Sequence, residues 1–411
     1  MDKKNFRTSV RLAYIMSRFP KITETFILYE IVELKKRGIG VEIFPLLKTQ
    51  ERISHPEVKK LTEHVHYHSF LSAPILFANL YFLFKCPVGY LKTIFEVVSA
   101  TFGSWNFFFG AIAAFPKTVR FAYEMRRLKI THIHAHFSNH PTVSAFIINR
   151  LTGLPFSFTA HGSDMHVDQR MMDIKIDAAQ FAVMVSEYNR KFITSRFQRD
   201  FKGKMSLIHC GVDPDIARGY EKDESRVPRI LCVAALRNVK GHKYLIEACH
   251  ILKRKKVAFE LHIIGDGPLR QEIEEKIAGL ALERQIILHG PLPRPKVLAM
   301  LRRADIVALT SKMDKKGRRE GIPVCLMEAM ASGLPVVSSR LSGIPELVDS
   351  NRTGILVPPG DTEGIARALA ALCLDPSLRR KMGRAGREKV LREFNLRTNV
   401  ATLIDRFLAY D

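Results

Sequence analysis

Cysteine is scarce in this chain and widely scattered. The 411 residues include six, Cys86, Cys210, Cys232, Cys249, Cys325 and Cys373, with no C-x-x-C pair and no metal-finger spacing. That excludes a disulfide scaffold and a zinc module, and it points to a reduced, cytoplasmic setting. The chain also lacks a low-complexity tract and a short-period repeat. A signal peptide is not expected, because charges interrupt the apolar run of MDKKNFRTSVRLAYIMS. Acidic residues are the minority: 41 Asp and Glu face 64 Lys and Arg, for a net charge of +23. The excess is spread over both halves rather than gathered in a tail. Such a balance suits a phosphate-bearing ligand or an anionic membrane surface. A nucleic-acid binder would need aromatics interleaved with a clustered basic stripe, so no nucleic-acid partner is expected.

What is present is a well-packed globular composition, 46% hydrophobic, in a chain too long for one ordinary core. Short apolar runs alternate with helical patterns. VRLAYIMS, TETFILYEIVELKKRG and VEIFPLL read as strand, helix, strand, with Thr23 or Thr25 able to cap the helix and Gly38 to close it. The rhythm recurs in ITHIHAHFS, PFSFTAHG and QFAVMVS, and again in RILCVAAL, ELHIIGDG, IILHG, DIVALTS and LPVVSS. Apolar strands separated by helices indicate parallel sheets covered on both faces, hence an α/β fold of two doubly wound domains. The expected domains are 1–215 and 228–390, with a hinge in the charged, aperiodic stretch 214–229 and a last helix, 391–411, packing back on the first domain.

One region departs from this rhythm. Residues 70–84 and 97–116 carry no charge, and the second run is just long enough to span a bilayer. A single crossing would split one sheet across the membrane, so an in-plane helical pair touching the membrane, or plain buried helices, are expected instead. Lys85, Lys92, Lys117, Arg120, Arg126 and Arg127 are candidates for anionic headgroups.

The candidate chemistry centres on REGIPVCLMEAMASG. Glu320 and Glu328 flank seven apolar or backbone-only positions, and Pro323 falls where a helix would begin. A helix N-terminus with glycine beside it suits a phosphate, and the two carboxylates suit the hydroxyls at either end of a nucleotide sugar. Solvated glutamates on an amphipathic helix are the bland alternative, but the intervening residues leave little polar face. Upstream, CVAALRNVKGHKYLIEA ends a strand with Arg237 and Lys240 ahead of Gly241, cations able to neutralise a departing diphosphate.

Together these segments resemble the retaining nucleotide-sugar glycosyltransferases of family 4, with the GT-B fold of two Rossmann-like domains facing a central cleft. SGIPELV and TGILVPPGD follow downstream as in that family. SRFPKITETFILYEI, HIHAHFS, FTAHGSDMH and SEYNR look like its exopolysaccharide, colanic acid type subgroup. The resemblance implies a metal-independent transfer from a UDP- or GDP-sugar, with no cofactor, to a glycan or lipid-linked acceptor at the inner face of the plasma membrane. It implies that Lys240 and Arg237 hold the diphosphate, that the segment Gly321, Ile322, Pro323, Val324 cradles it, and that Glu328 meets the ribose. Glu320 would meet the donor sugar, and His161, with Asp164 close by, would sit beside the anomeric carbon. Two departures stand out. The family arginine position is Ala235, with Arg237 nearer the lysine, and SRFPKIT replaces a glycine pair.

Three other motifs read as structural. GDGPLR at 265–270 lacks the third glycine of a dinucleotide fingerprint. The DPD at 213–215 reads as a turn. His132, His134 and His136 share a strand face, but no carboxylate lies within their run, so no metal is expected. The rival functions are a non-catalytic membrane-associated assembly protein and a nucleotide-sugar epimerase on the same fold.

Overall fold

The computed structural model describes residues 10–49, 55–70, 72–201, 203–216 and 227–409. The chain divides into two units, one of residues 1–208 with 400–411, the other of residues 209–399. Residues 217–226 of the expected hinge lie outside the described residues.

The first unit holds six parallel strands: β1 (Arg11–Phe19), β2 (Gly40–Lys48), β3 (His132–His136), β4 (Phe156–Ala160), β5 (Phe181–Met184) and β6 (Met205–Leu207), in the order β2-β1-β3-β4-β5-β6. β3 and β4 are buried at every position, as strands covered by helices on both faces must be. The second unit repeats the pattern with β7 (Arg229–Val233), β8 (Glu260–Ile264), β9 (Ile286–Gly290), β10 (Ile306–Leu309), β11 (Val336–Ser339) and β12 (Gly354–Val357). Their order is β12-β11-β10-β7-β8-β9. Each sheet reverses its winding once, between β1 and β3 in the first and between β7 and β10 in the second. The crevice at the carboxyl ends of those strand pairs is where an open α/β sheet leaves room for a ligand. Val400–Phe407 of the last helix belongs to the first unit, where the Phe407 ring lies 5.1 Å from His132 and 5.7 Å from Phe181.

The helix Thr25–Lys36 has Glu24, not Thr23 or Thr25, at its N-cap, and no side chain caps it. Its other end behaves as expected. Gly38, at φ +82°, lets the Ile39 amide reach back to the Leu34 carbonyl at 3.1 Å.

The charge-free region forms three helices, Ala73–Lys85, Pro87–Thr101 and Trp105–Arg127. The run 97–116 is therefore not one helix: the chain breaks at Gly103, φ +89°, and Ser104 caps the third helix by accepting from the Phe107 amide. Among the described residues no single helix is long and apolar enough to cross a membrane, and the first two helices are bent by 113°. Phe82, Val97, Phe107 and Ala111 are buried, while more than half of the exposed large apolar side chains of the described residues fall between 70 and 112. Phe84 is 79% exposed and Trp105 70%. Lys85, Lys92, Arg126 and Arg127 are exposed as expected. Lys117 is not. It is buried, and its ammonium donates to the Leu46 carbonyl at 2.7 Å. Arg120 is half-buried, 3.9 Å from Glu124.

Residues 64–68 are clamped to β2 and the third helix by ion pairs. His66 bridges Glu42 at 2.9 Å and Glu124 at 2.8 Å, and its ring stacks on Phe44. Burial alone would lower the imidazole pKa, but the Glu124 and Glu42 carboxylates outweigh it and raise it to about 9. A group raised in the folded state contributes stability that is complete below its ordinary value of 6.5 and lost as pH rises through 9. A His66→Gln variant should therefore melt several degrees below the parent at about pH 6, at ~2–4 °C per kcal/mol. The gap should close at alkaline pH. A melting difference that stays constant across this range would contradict the clamp.

Candidate functional site

The switch crevice of the second unit is built by two loops stitched backbone to backbone. After β7 the chain turns through Asn238–Lys240, and Gly241 takes φ +70°. A Cβ on Gly241 would stand 1.8 Å from the Thr310 carbonyl oxygen, so only glycine lets this loop lie against the end of β10. Thr310 Oγ1 donates to the Gly241 carbonyl at 2.9 Å, and the Lys312 amide donates to Val239 at 2.9 Å. The stitching brings together the residue expected to hold the diphosphate and the one expected to meet the donor sugar. Lys240 Nζ lies 2.6 Å from Glu320 Oε2, both side chains half-buried. Burial pulls the Lys240 ammonium toward a lower pKa, and the Glu320 carboxylate outweighs it and holds it above the ordinary value.

Behind this pair stands the helix Val324–Ala331, fixed to the core by Leu326, Met327, Ala329 and Met330. Pro323 is its N-cap, one position earlier than expected, and it accepts from the Leu326 and Met327 amides. Val324 and Cys325 thus open the helix, where no carbonyl lies four residues back within it. Gly321 and Ile322 are half-buried in the lead-in, with Ile322 packed against the core. The Cys325 thiol is pushed up to about 12 by burial, so it stays protonated.

Glu328 is buried within this helix, and its Oε1 accepts from Arg294, at the start of the helix Arg294–Arg303. Pairing is what makes a carboxylate tolerable there. Arg294 was invisible in sequence, because nothing in PLPRPKV ties it to a glutamate 34 positions on. Arg237 is exposed at the N-cap of the 238–240 turn. Gly265 of the GDG stretch serves packing, since a Cβ there would stand 2.0 Å from the Ala234 carbonyl oxygen. The DPD is a turn, closed by the Asp215 amide on Asp213 Oδ1 at 3.0 Å.

In the first unit His161 follows β4 directly. Asp164 holds its loop: Oδ1 accepts from the Gly162 amide at 2.6 Å and the His161 amide at 3.2 Å, while Oδ2 accepts from the Ser138 amide at 2.8 Å. Asp164 is thus a clamp on the histidine loop. His136 lies beside His161, and Glu30 beside His136. The three-histidine run does therefore meet a carboxylate, from a different element. Glu30, His134 and His136 place ligand-type atoms within 4.8 Å of one another. Protein hydrogen bonds reach every ring nitrogen in that group. His134 takes Ser157 Oγ at 2.8 Å and Thr159 Oγ1 at 2.9 Å, and His136 takes His161 and Glu30. Burial lowers His132 and His136 to about 3, and both are neutral imidazoles. Glu30 left one trace in sequence: it shares a helix face with the buried Ile27, Ile31 and Leu34, an odd place for a carboxylate.

Residues 23–216 match the family model described as Glycosyltransferase Family 4, and residues 216–389 match the one described as Glycosyl transferases group 1. The chain is 42% identical over 193 residues to the amylovoran biosynthesis glycosyltransferase AmsK of Erwinia amylovora, covering 47% of each. It is 44% identical over 167 residues to the putative colanic acid biosynthesis glycosyltransferase WcaL of Escherichia coli K12, covering 40% of this chain and 41% of that one. The matched region spans about half the length of these curated relatives or less. The structure of Anabaena Alr3699/HepE in complex with UDP superposes with a TM-score of 0.71 over 97% of this chain and all of that one, at 16% identity. That likeness shows the GT-B fold.

Removing Arg294 strands a buried carboxylate. Arg294→Met should destabilise the protein by about 3 kcal/mol in urea unfolding, and adding Glu328→Gln should recover most of the loss. A single variant as stable as the parent would refute the pairing.

Proposed function

The chain belongs to the glycosyltransferases, with a family 4 domain followed by a group 1 domain, and from this premise we propose that it moves a sugar from a nucleoside diphosphate to a hydroxyl group. The acceptor is a glycan or lipid-linked hydroxyl in exopolysaccharide synthesis, by analogy with the names its relatives carry. The observation that carries this reading is the Lys240–Glu320 pair at 2.6 Å in the switch crevice of the second unit. An ammonium beside a helix N-terminus suits a diphosphate, where negative charge grows as the glycosyl bond breaks. Before donor binds, Glu320 keeps Lys240 extended into the crevice; with donor bound, it meets the sugar. Arg237 adds an exposed cation at the loop mouth, Val324 and Cys325 offer amides, and Glu328 meets the ribose from the grip of Arg294. His161 serves the transferred sugar. In this reading the acceptor oxygen attacks C1 from the face the diphosphate leaves and its proton passes to the departing phosphate oxygen, so configuration is retained, and no metal is needed, because protein cations and the helix terminus supply the positive charge. The intact pair favours transfer over a non-catalytic assembly role.

We further propose that the protein works at the cytoplasmic face of the plasma membrane. The exposed apolar side chains of the helices Ala73–Lys85, Pro87–Thr101 and Trp105–Arg127 enter the headgroup boundary of an anionic bilayer. Exposed Lys85, Lys92, Arg126 and Arg127 lie on the same helices, and a net charge of +23 complements anionic lipid. A second copy of the chain would gain nothing from that charge.

Two experiments bear on this. Lys240→Ala and Glu320→Ala should each lower transfer from UDP- or GDP-sugars by about a hundredfold or more, and Lys240→Ala should also abolish the thermal stabilisation given by UDP or GDP, with circular dichroism unchanged. Full activity in either variant would end the assignment. For the membrane, Phe84→Glu with Phe95→Glu should weaken sedimentation with phosphatidylglycerol-containing vesicles at least about tenfold, each buried phenylalanine contributing ~1.5–3 kcal/mol. Undiminished binding, or equal binding to pure phosphatidylcholine, would rule the surface out.

A further inference from the structure

Four elements of the first unit that are far apart in sequence converge on one largely enclosed chain of hydrogen bonds. Tyr14 of β1 donates its hydroxyl to Glu30 Oε1 at 2.7 Å. The same oxygen lies 3.1 Å from Nε2 of His136 on β3, and Nδ1 of His136 lies 3.0 Å from Nε2 of His161 after β4. The two imidazoles stack at 5.3 Å, and Phe26 and Phe137 flank His161 at 4.5 and 4.8 Å. Among the described residues the other titratable groups facing the chain are His134 and Asp164. The ring of His134 is engaged by Ser157 and Thr159, and the carboxylate of Asp164 by the backbone of its own loop and Ser138.

A neutral imidazole carries one N–H and one bare nitrogen, so two rings in series cannot choose their tautomers independently. With Glu30 ionised, His136 must donate from Nε2, must accept at Nδ1, and so receives the Nε2 hydrogen of His161. The Nδ1 of His161 is then an acceptor. With Glu30 protonated the hydrogens on both rings reverse while Tyr14 still donates: Glu30 donates to His136 Nε2, His136 donates from Nδ1, and the hydrogen of His161 moves to its Nδ1. The two states differ by one proton. We propose that Glu30 is a positioning residue for the transfer reaction, setting through His136 the tautomer in which His161 meets the sugar. The inference rests on the reading that His161 serves the transferred sugar.

Burial lowers both His136 and His161 to about 3, so neither competes as a cation, and burial raises Glu30. The reversal therefore occurs above the ordinary carboxylate range and gives activity an acid limb there.

The test uses the full chain labelled with 15N-histidine and, as probes, UDP-glucose and GDP-mannose, followed by hydrolysis or transfer. Long-range proton–nitrogen spectra at neutral pH should show His161 as the Nε2–H tautomer in the parent and a mixture in Glu30→Met. In Glu30→Met kcat should fall about tenfold to a hundredfold, by analogy with removal of the outer partner of a metal-ligating histidine, with donor KM little changed. Glu30→Gln, whose carbonyl can still accept from His136, should restore the tautomer and most of kcat but lose the acid limb. Because that variant keeps size and shape, it stands as the test even where Glu30→Met does not fold. An unaltered tautomer in Glu30→Met, or a pH profile in Glu30→Gln identical to the parent, overturns the proposal. A fully active His161→Ala overturns the reading of the site and the proposal with it. An inactive His161→Ala beside unaffected Glu30 variants overturns the proposal alone.

Discussion

The backbone contact between Gly241 and Thr310 governs the candidate donor site. The loops after β7 and β10 come from strands that are neighbours in the sheet but about 75 residues apart in sequence, and they touch because position 241 has no side chain and sits at positive φ. That contact sets where Lys240 points, and Lys240 in turn finds Glu320. Charge alone would not hold the pair: a half-buried ammonium and carboxylate with freely rotating stems gain little net energy. Their loops are already immobilised by backbone hydrogen bonds, so the entropic cost of ordering them falls on the fold.

The same economy runs through the first unit. Asp164 spends its oxygens on amides of the His161 loop, and Ser157 and Thr159 saturate His134. Histidines packed this deeply are neutral, and their remaining freedom is the choice of which nitrogen carries the hydrogen. A half-buried carboxylate on the apolar face of the helix Thr25–Lys36 is costly unless partnered, and Tyr14 and His136 partner it. The helices between residues 73 and 127 depart from this pattern of enclosure. They bury one apolar stripe against one another and the helix His140–Thr152 and leave another uncovered, a distribution that water disfavours.

Much was legible before any coordinates. Alternating apolar runs and helical periods indicate two parallel sheets because a strand covered on both faces can carry no polar side of its own. Glu320, Glu328 and Lys240 were legible because each breaks a local pattern: one carboxylate ahead of an apolar helix and one inside it, and a cation beside a glycine that opens another. The run 97–116 misled because uniform apolarity carries little mark of a turn, and of its two glycines Gly103 breaks the chain while Gly110 lies inside a helix; Lys117 misled because a lysine beside an apolar run looks the same whether it snorkels outward or donates to a buried carbonyl.

The sequence by itself determined the period of each element, the doubly wound class and the identity of the charged residues set into apolar surroundings, since these depend on neighbours within a few positions. Only the tertiary structure decided which charges meet. Arg294 with Glu328, Glu30 with His136 and His161, and His66 with Glu42 and Glu124 join residues between 24 and 131 positions apart. Strand order sets those distances, and strand order is fixed by how whole sheets bury their faces, a property no local stretch of sequence contains.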